Sequence, residues 1–204
     1  MEPLLTEGCA RGDQVGVTWV GLAEHGFTPI DSPRRMRPSG PSSSAVPLDA
    51  TIGKAPAIRF DDVPEHAPID TDLLAARGAH VGPGNIVLLC ARQDERRRLH
   101  GPEVWTEAPW LTHTACTWLL AHPIKALAPH VPQDYSIRRL LGRQMAPMED
   151  FVSHDMLLRH GVISIEDVCN VGALRTDRAT VYALPRTRSD SDSCPPRVIP
   201  VESD

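Results

Sequence analysis

The sequence predicts a mixed α/β domain with more strand than helix, and three observations carry that expectation. Short apolar runs with β-branched residues recur along the chain, and Asn85-Ile86-Val87-Leu88-Leu89-Cys90 is the clearest of them. Helical spacing is confined to a few segments, best seen where Leu111, Ala115, Trp118 and Leu119 share one face. The length of 204 residues with 41% hydrophobic content suits one domain with a real core.

The elements follow in order. Residues 1–24 form a short N-terminal segment. Residues 32–47 combine Pro, Ser, Gly and Arg and read as an irregular loop, because Pro and Gly defeat both helix and ladder. Ala57-Ile58-Arg59-Phe60 reads as a strand, the acidic stretch 61–72 as a turn region, and Asp72–Ala76 as a short helix. Residues 85–90 form a buried strand. Thr112–Ala121 is a helix and Ile124–Leu127 a strand after it. Phe151–His160 is a second long helix, with Gly161 as its C-terminal stop. Strands are expected at Val162–Ile165, Thr180–Pro185 and Arg197–Val201, with a polar loop at 186–196. Asp94-Glu95-Arg96-Arg97-Arg98 reads as a solvated charge cluster. No repeat is present, and the whole of 1–204 is expected to be one domain.

Composition excludes some functions. A net charge of -5 argues against broad nucleic-acid binding, which needs a basic surface. No apolar run approaches the ~20 residues of a bilayer span. The N-terminus lacks a basic region followed by an apolar stretch, so no leader is expected. The five cysteines, Cys9, Cys90, Cys116, Cys169 and Cys194, lie far apart with no CxxC pair. Cys90 and Cys169 sit in apolar stretches and read as buried thiols. The cytoplasm is the expected compartment.

Two stretches carry a resemblance. His25-Gly26-Phe27-Thr28-Pro29-Ile30-Asp31-Ser32-Pro33-Arg34-Arg35 resembles the motif H-x-G-T-H-x-D-x-P-x-H at His25, Thr28, Asp31 and Pro33. Phe27 stands where glycine is expected, Pro29 where the second histidine belongs, and Arg35 where the last one does. Later, His154–Glu166 resembles H-x-x-L-L-x-x-G-V-x-x-I-E, followed by Cys169–Leu174, Tyr182-Ala183-Leu184-Pro185 and Asp192–Ile199. Trp105–Thr112 and Pro132–Arg138 match one branch. By these segments the chain resembles the cyclase family of kynurenine formamidase-like metal-dependent hydrolases. The resemblance implies a cyclase/formamidase-like α/β domain with a β-rich core and peripheral helices.

The resemblance also implies a site around one or two divalent metals. Four family ligand positions are kept: His25, Asp31, His154 and Glu166. Pro29 has no donor, and Arg35 stays protonated and cannot act as a base. An arginine ~5 Å from a divalent ion would oppose it by about 6–7 kcal/mol at an effective dielectric of ~20, against the ~10–16 kcal/mol of tight zinc binding. No tightly bound ion is therefore expected, and Arg35 is expected to pair with Asp31 or Glu166 instead. A single Zn²⁺ or Mn²⁺ on the four kept ligands is the alternative. Arg35, His25 and Asp31 are the expected catalytic residues. Trp105 and Trp110 either join the core or, with Tyr135, wall a pocket for a small aromatic or polycyclic substrate. His113, His122, His130 and His160 show no partner pattern.

The expected function is a cyclase or ring-remodelling enzyme of a natural-product pathway. One rival is a residual metal-dependent hydrolase of an amide, formamide or lactone. Another is a non-catalytic ligand-binding protein. The resemblance implies a homodimer.

Overall fold

The structure is a computed structural model describing residues 21–91, 103–187 and 190–202, with the backbone of 4–7 and 17–19. The Asp94–Arg98 cluster and Cys9 lie outside the described residues. Strands β1 (Leu4–Glu7) and β2 (Val17–Trp19) form an antiparallel pair. The main sheet contains β3 (Ile30–Asp31), β4 (Ile52–Arg59), β6 (Ile86–Cys90), β8 (Ala126–Pro129), β9 (Ile163–Ile165), β10 (Arg178–Leu184), β11 (Ser193–Cys194) and β12 (Arg197–Val201). Its order is β11-β3-β9-β8-β6-β4-β10-β12. The four central strands β4, β6, β8 and β9 are parallel, and antiparallel wings flank them. A small parallel pair joins β5 (Pro68–Ile69) and β7 (Trp110–Leu111).

The period-2 alternation of the strands divides the core into two layers. Ile58, Val87, Leu89 and Leu127 face one side with Leu74 of α2 (Thr71–Arg77) and Ala115 and Leu119 of α4 (His113–Ala121). Ala57, Ile86, Leu88, Ala126 and Ala128 face the other with Ile165, Val181 and Ala183. Asp70 caps α2 by accepting from the Leu73 N–H, and Thr112 caps α4 by accepting from Ala115. Among the described residues the remaining α-helices are α1 (Leu48–Thr51), α3 (Glu103–Thr106) and α5 (Ile137–Leu141).

Four expectations need correction. The expected helix at Phe151–His160 is a π-helical turn over His154–Leu158, preceded by two helical residues and followed by one. The wider turn leaves His154 against Asp134 while Leu157 and Leu158 stay in the core. The polar loop 186–196 contains β11, and Ser191, Ser193 and Cys194 are buried. Serines there read as loop, yet their hydroxyls bond internally, Ser191 to the Ser193 carbonyl (2.7 Å) and Ser193 to that of Ile30 (3.1 Å). Cys169 is exposed, because it follows β9 in the connecting segment. The strand expected at 124–127 runs from Ala126 to Pro129, and Lys125 instead bonds the Asp49 and Ile52 carbonyls.

Leu127 is fully buried at the centre of the sheet. Leu127→Ala should lower unfolding free energy by about 2–5 kcal/mol through lost burial and the cavity left behind. Urea denaturation should show a lower midpoint at an unchanged slope.

Candidate functional site

The site lies beyond the carboxyl ends of β8 and β9, where open α/β sheets place their crevices. Glu166 and Asp167 directly follow β9, and Gln133 and Asp134 follow β8. Strand β3 pairs Asp31 with Ser164 on one side and Ser193 on the other, so a carboxylate enters the sheet fully buried. Ser193 Oγ donates to Asp31 Oδ1 at 2.8 Å. After β3, Arg35 N–H bonds the Ser32 carbonyl at 3.0 Å and closes a 3₁₀ turn over Pro33–Arg35. That turn swings the Arg35 guanidinium back, with Nε 2.8 Å from Asp31 Oδ2.

His154 opens the π-turn and is held from behind. Asp134 accepts from the Ser153 N–H at 2.7 Å and pairs with His154 Nδ1. That leaves His154 Nε2 facing forward, 2.7 Å from Glu166 Oε1 and 3.7 Å from Asp31 Oδ2. Gln133 Nε2 fixes Glu166 by donating to Oε1 at 2.7 Å and also bonds Ser164 Oγ at 3.1 Å. His25 stands on the other side of Asp31. Its Nδ1 is 3.2 Å from Asp31 Oδ1 and its Nε2 is 2.9 Å from Asp192 Oδ2. Arg35 Nη1 lies 2.5 and 2.7 Å from the two ring nitrogens.

These neighbours shift the protonation equilibria. Burial alone would raise the Asp31 pKa, but His154, His25 and Arg35 outweigh it and hold the carboxyl well below the usual range. Burial would lower the His154 pKa, but Glu166, Asp134 and Asp31 raise it well above the ordinary value. For His25, burial likewise lowers and Asp31 and Asp192 raise, with Arg35 opposing; the outcome is a raised pKa. Burial pushes Asp167 up to about 7, helped by the charges of Glu166 and Asp31.

A cavity of about 180 Å³ opens onto this cluster. Its polar wall includes His25, Arg35, His154, Glu166 and Asp167, and its apolar wall includes Trp105, Ile137, Leu140 and Phe151. The structure therefore gathers His25, Asp31, Arg35, His154, Glu166 and Trp105. Trp110 and Tyr135 instead pack on each other, ring centroids 4.8 Å apart, with Arg138 against both. The residues that sequence reasoning missed are Gln133, Asp134, Asp167, Asp192 and Ser193. Gln133, Asp134, Asp192 and Ser193 fall in segments matched to the family without a role, and Asp167 follows Glu166 immediately.

Asp31, His154 and Glu166 each present one ligand atom within 4.8 Å of the others. Donors about 2.0–2.2 Å from a shared zinc-sized ion stand roughly 3–3.5 Å apart, and the 2.7 and 3.7 Å separations from His154 Nε2 bracket that. Asp31 Oδ2 and His154 Nε2 are buried with no aligned hydrogen bond. A nitrogen and carboxylate oxygens suit Zn²⁺ or Mn²⁺. These residues fit one divalent ion. His25 faces Arg35 and Asp192 as well as Asp31, outside that three-atom set.

Comparison with known proteins agrees with this fold. A solved structure of a potential metal-dependent hydrolase with cyclase activity is 22% identical, with a TM-score of 0.72 over 90% of this chain and 81% of that one. An isatin hydrolase bound to the product analogue thioisatinate is 18% identical, with a TM-score of 0.75 over 92% and 76%. Isatin hydrolase A from Labrenzia aggregata, bound to benzyl benzoate, is 18% identical, with a TM-score of 0.75 over 97% and 80%. At these identities the likeness shows the fold. No curated protein matches. The model of the Cyclase family matches residues 5–131, more than half of the sequence, and the chain belongs to that family.

Proposed function

We propose that the chain is an enzyme that opens or closes a ring on a small organic molecule of natural-product type, at a cyclic amide or lactone bond. The observation that carries this reading is the convergence of Asp31, His154 and Glu166, the last two lining a cavity with one apolar wall. The cavity, about 180 Å³, is small beside the ~300–1,000 Å³ of common ligand pockets. One or two fused rings suit it, and the isatin of the similar hydrolases is a two-ring cyclic amide.

Trp105 and Phe151 would give a flat ring an apolar wall and exclude water. Arg35, locked on Asp31, presents fixed positive charge to the oxygen that becomes negative as the ring opens or closes. An ion on Asp31, His154 and Glu166 would supply Lewis acidity. Asp134 holds the His154 ring so that Nε2 faces forward. Asp167 lines the cavity beside Glu166 and is placed to give or take a proton at its carboxyl. His25 is tied to Asp31 and Asp192, and Asp31 holds Arg35 in place.

No membrane-crossing helix is present among the described residues, and a small diffusible substrate accords with that.

A panel of cyclic amides and lactones of one or two rings tests this reading by ring-opening absorbance. Turnover should appear, disappear with chelator and return with Mn²⁺ or Zn²⁺. His154→Ala or Glu166→Gln should cut it by at least about 100-fold. Intact binding of such rings with no turnover under any metal condition would instead favour a ligand-binding protein. Asp134→Asn should keep the fold and lower metal affinity or kcat by about 10–100-fold. An unchanged kcat with unchanged affinity would remove Asp134 from the site.

A further inference from the structure

Asp31 has two neighbourhoods. On one side its Oδ2 faces His154 Nε2 at 3.7 Å, in the set that fits an ion. On the other, Arg35 Nε lies 2.8 Å from the same oxygen. Asp31 Oδ1 is already engaged by Ser193 Oγ at 2.8 Å and His25 Nδ1 at 3.2 Å. The same guanidinium reaches both ring nitrogens of His25 through Nη1. Arg35 thus covers the two early-motif residues that could bind an ion there, and Pro29 brings no donor side chain. A guanidinium keeps its charge at any working pH.

The charges around it agree. Among the described residues, the carboxylates of Asp31, Asp134, Glu166 and Asp192 pair with Arg35 and the two histidines His25 and His154. The cluster has enough negative charge for one further cation on the His154 side. On the His25 side, Arg35 already takes that role.

We propose that Arg35 is a built-in cation of a one-ion centre: it occupies the space beside Asp31 and His25, excludes a second divalent ion, and weakens the first by sharing Asp31 Oδ2. This rests on the reading that Asp31, His154 and Glu166 hold an ion. The centre is then half protein-supplied and half exchangeable. Its occupancy would follow ion supply, while the positive charge at Arg35 stays constant.

The test uses chelator-treated full chain, wild type and Arg35→Met, titrated calorimetrically with Mn²⁺ and with Zn²⁺. Arg35→Met keeps a long side chain but removes the charge and adds no nitrogen donor. The wild type should bind one equivalent, with the electron paramagnetic resonance spectrum of an isolated Mn²⁺. Arg35→Met should bind its first equivalent at least about tenfold tighter, because a competing cation is gone. Two equivalents in the wild type, or a spin-coupled Mn²⁺ pair, would overturn the proposal. So would equal first-ion affinity in the two proteins. If circular dichroism shows Arg35→Met unfolded, the wild-type stoichiometry and spectrum decide alone. Absence of binding by both folded proteins would overturn the ion-holding reading itself, whatever becomes of ring turnover.

Discussion

The carboxylate of Asp31 is the group around which the site is arranged. It is fully buried, and a buried charge left without partners costs several kcal/mol. The surroundings meet that cost from every side. Ser193 reaches it from β11, His25 from the loop before β3, His154 from the π-turn, and Arg35 from the turn just after it. Two of those elements, β11 and the π-turn, are distant from β3 in sequence, so the same electrostatic demand that charges the site also ties the edge of the sheet together. Two of the three departures from the motif that the sequence resembles, Pro29 and Arg35, can be understood together on this basis. Pro29 brings no donor side chain where that motif has a histidine, and Arg35 supplies positive charge to the carboxylate.

The central sheet was legible because its strands are continuous buried runs. Residues 57–60, 85–90 and 180–185 carry β-branched and apolar side chains with no competing helical period, and they lie within or overlap β4, β6 and β10. Strands β3 and β11 were not legible, because two residues have no period and their neighbours are Pro and Ser. Yet these strands place Asp31 and Ser193. The helix expected from Phe151 was right in place and wrong in winding, since hydrophobic spacing cannot report that His154 is held by a distant Asp134. Phe27 shows another limit. Its backbone φ is +68°, a left-handed conformation that suits the glycine of the family motif, and its side chain is exposed.

The site residues divide in the same way. Asp31, His154 and Glu166 were named through resemblance, because nothing local brings together residues so far apart in sequence. Asp134, Asp167 and Asp192 are ordinary loop acids by sequence, and partners in space give them meaning. The aromatic residues were assigned alike, but the structure treats them differently. Trp105 lines the cavity, whereas Trp110 and Tyr135 pack against Arg138, whose Nε and Nη2 bond the Thr106 and Ala108 carbonyls at 2.7 and 2.6 Å. That cluster anchors the segment carrying Trp105, so Trp110 and Tyr135 act on the cavity through its wall.

The central claim is that a guanidinium and a single ion share Asp31. A crystal structure of the protein soaked in Mn²⁺, with anomalous data, tests it most directly. The account predicts one anomalous peak among Asp31, His154 and Glu166, with the Arg35 guanidinium still against Asp31. Two peaks, or one peak beside His25 with Arg35 swung out of the site, would contradict it.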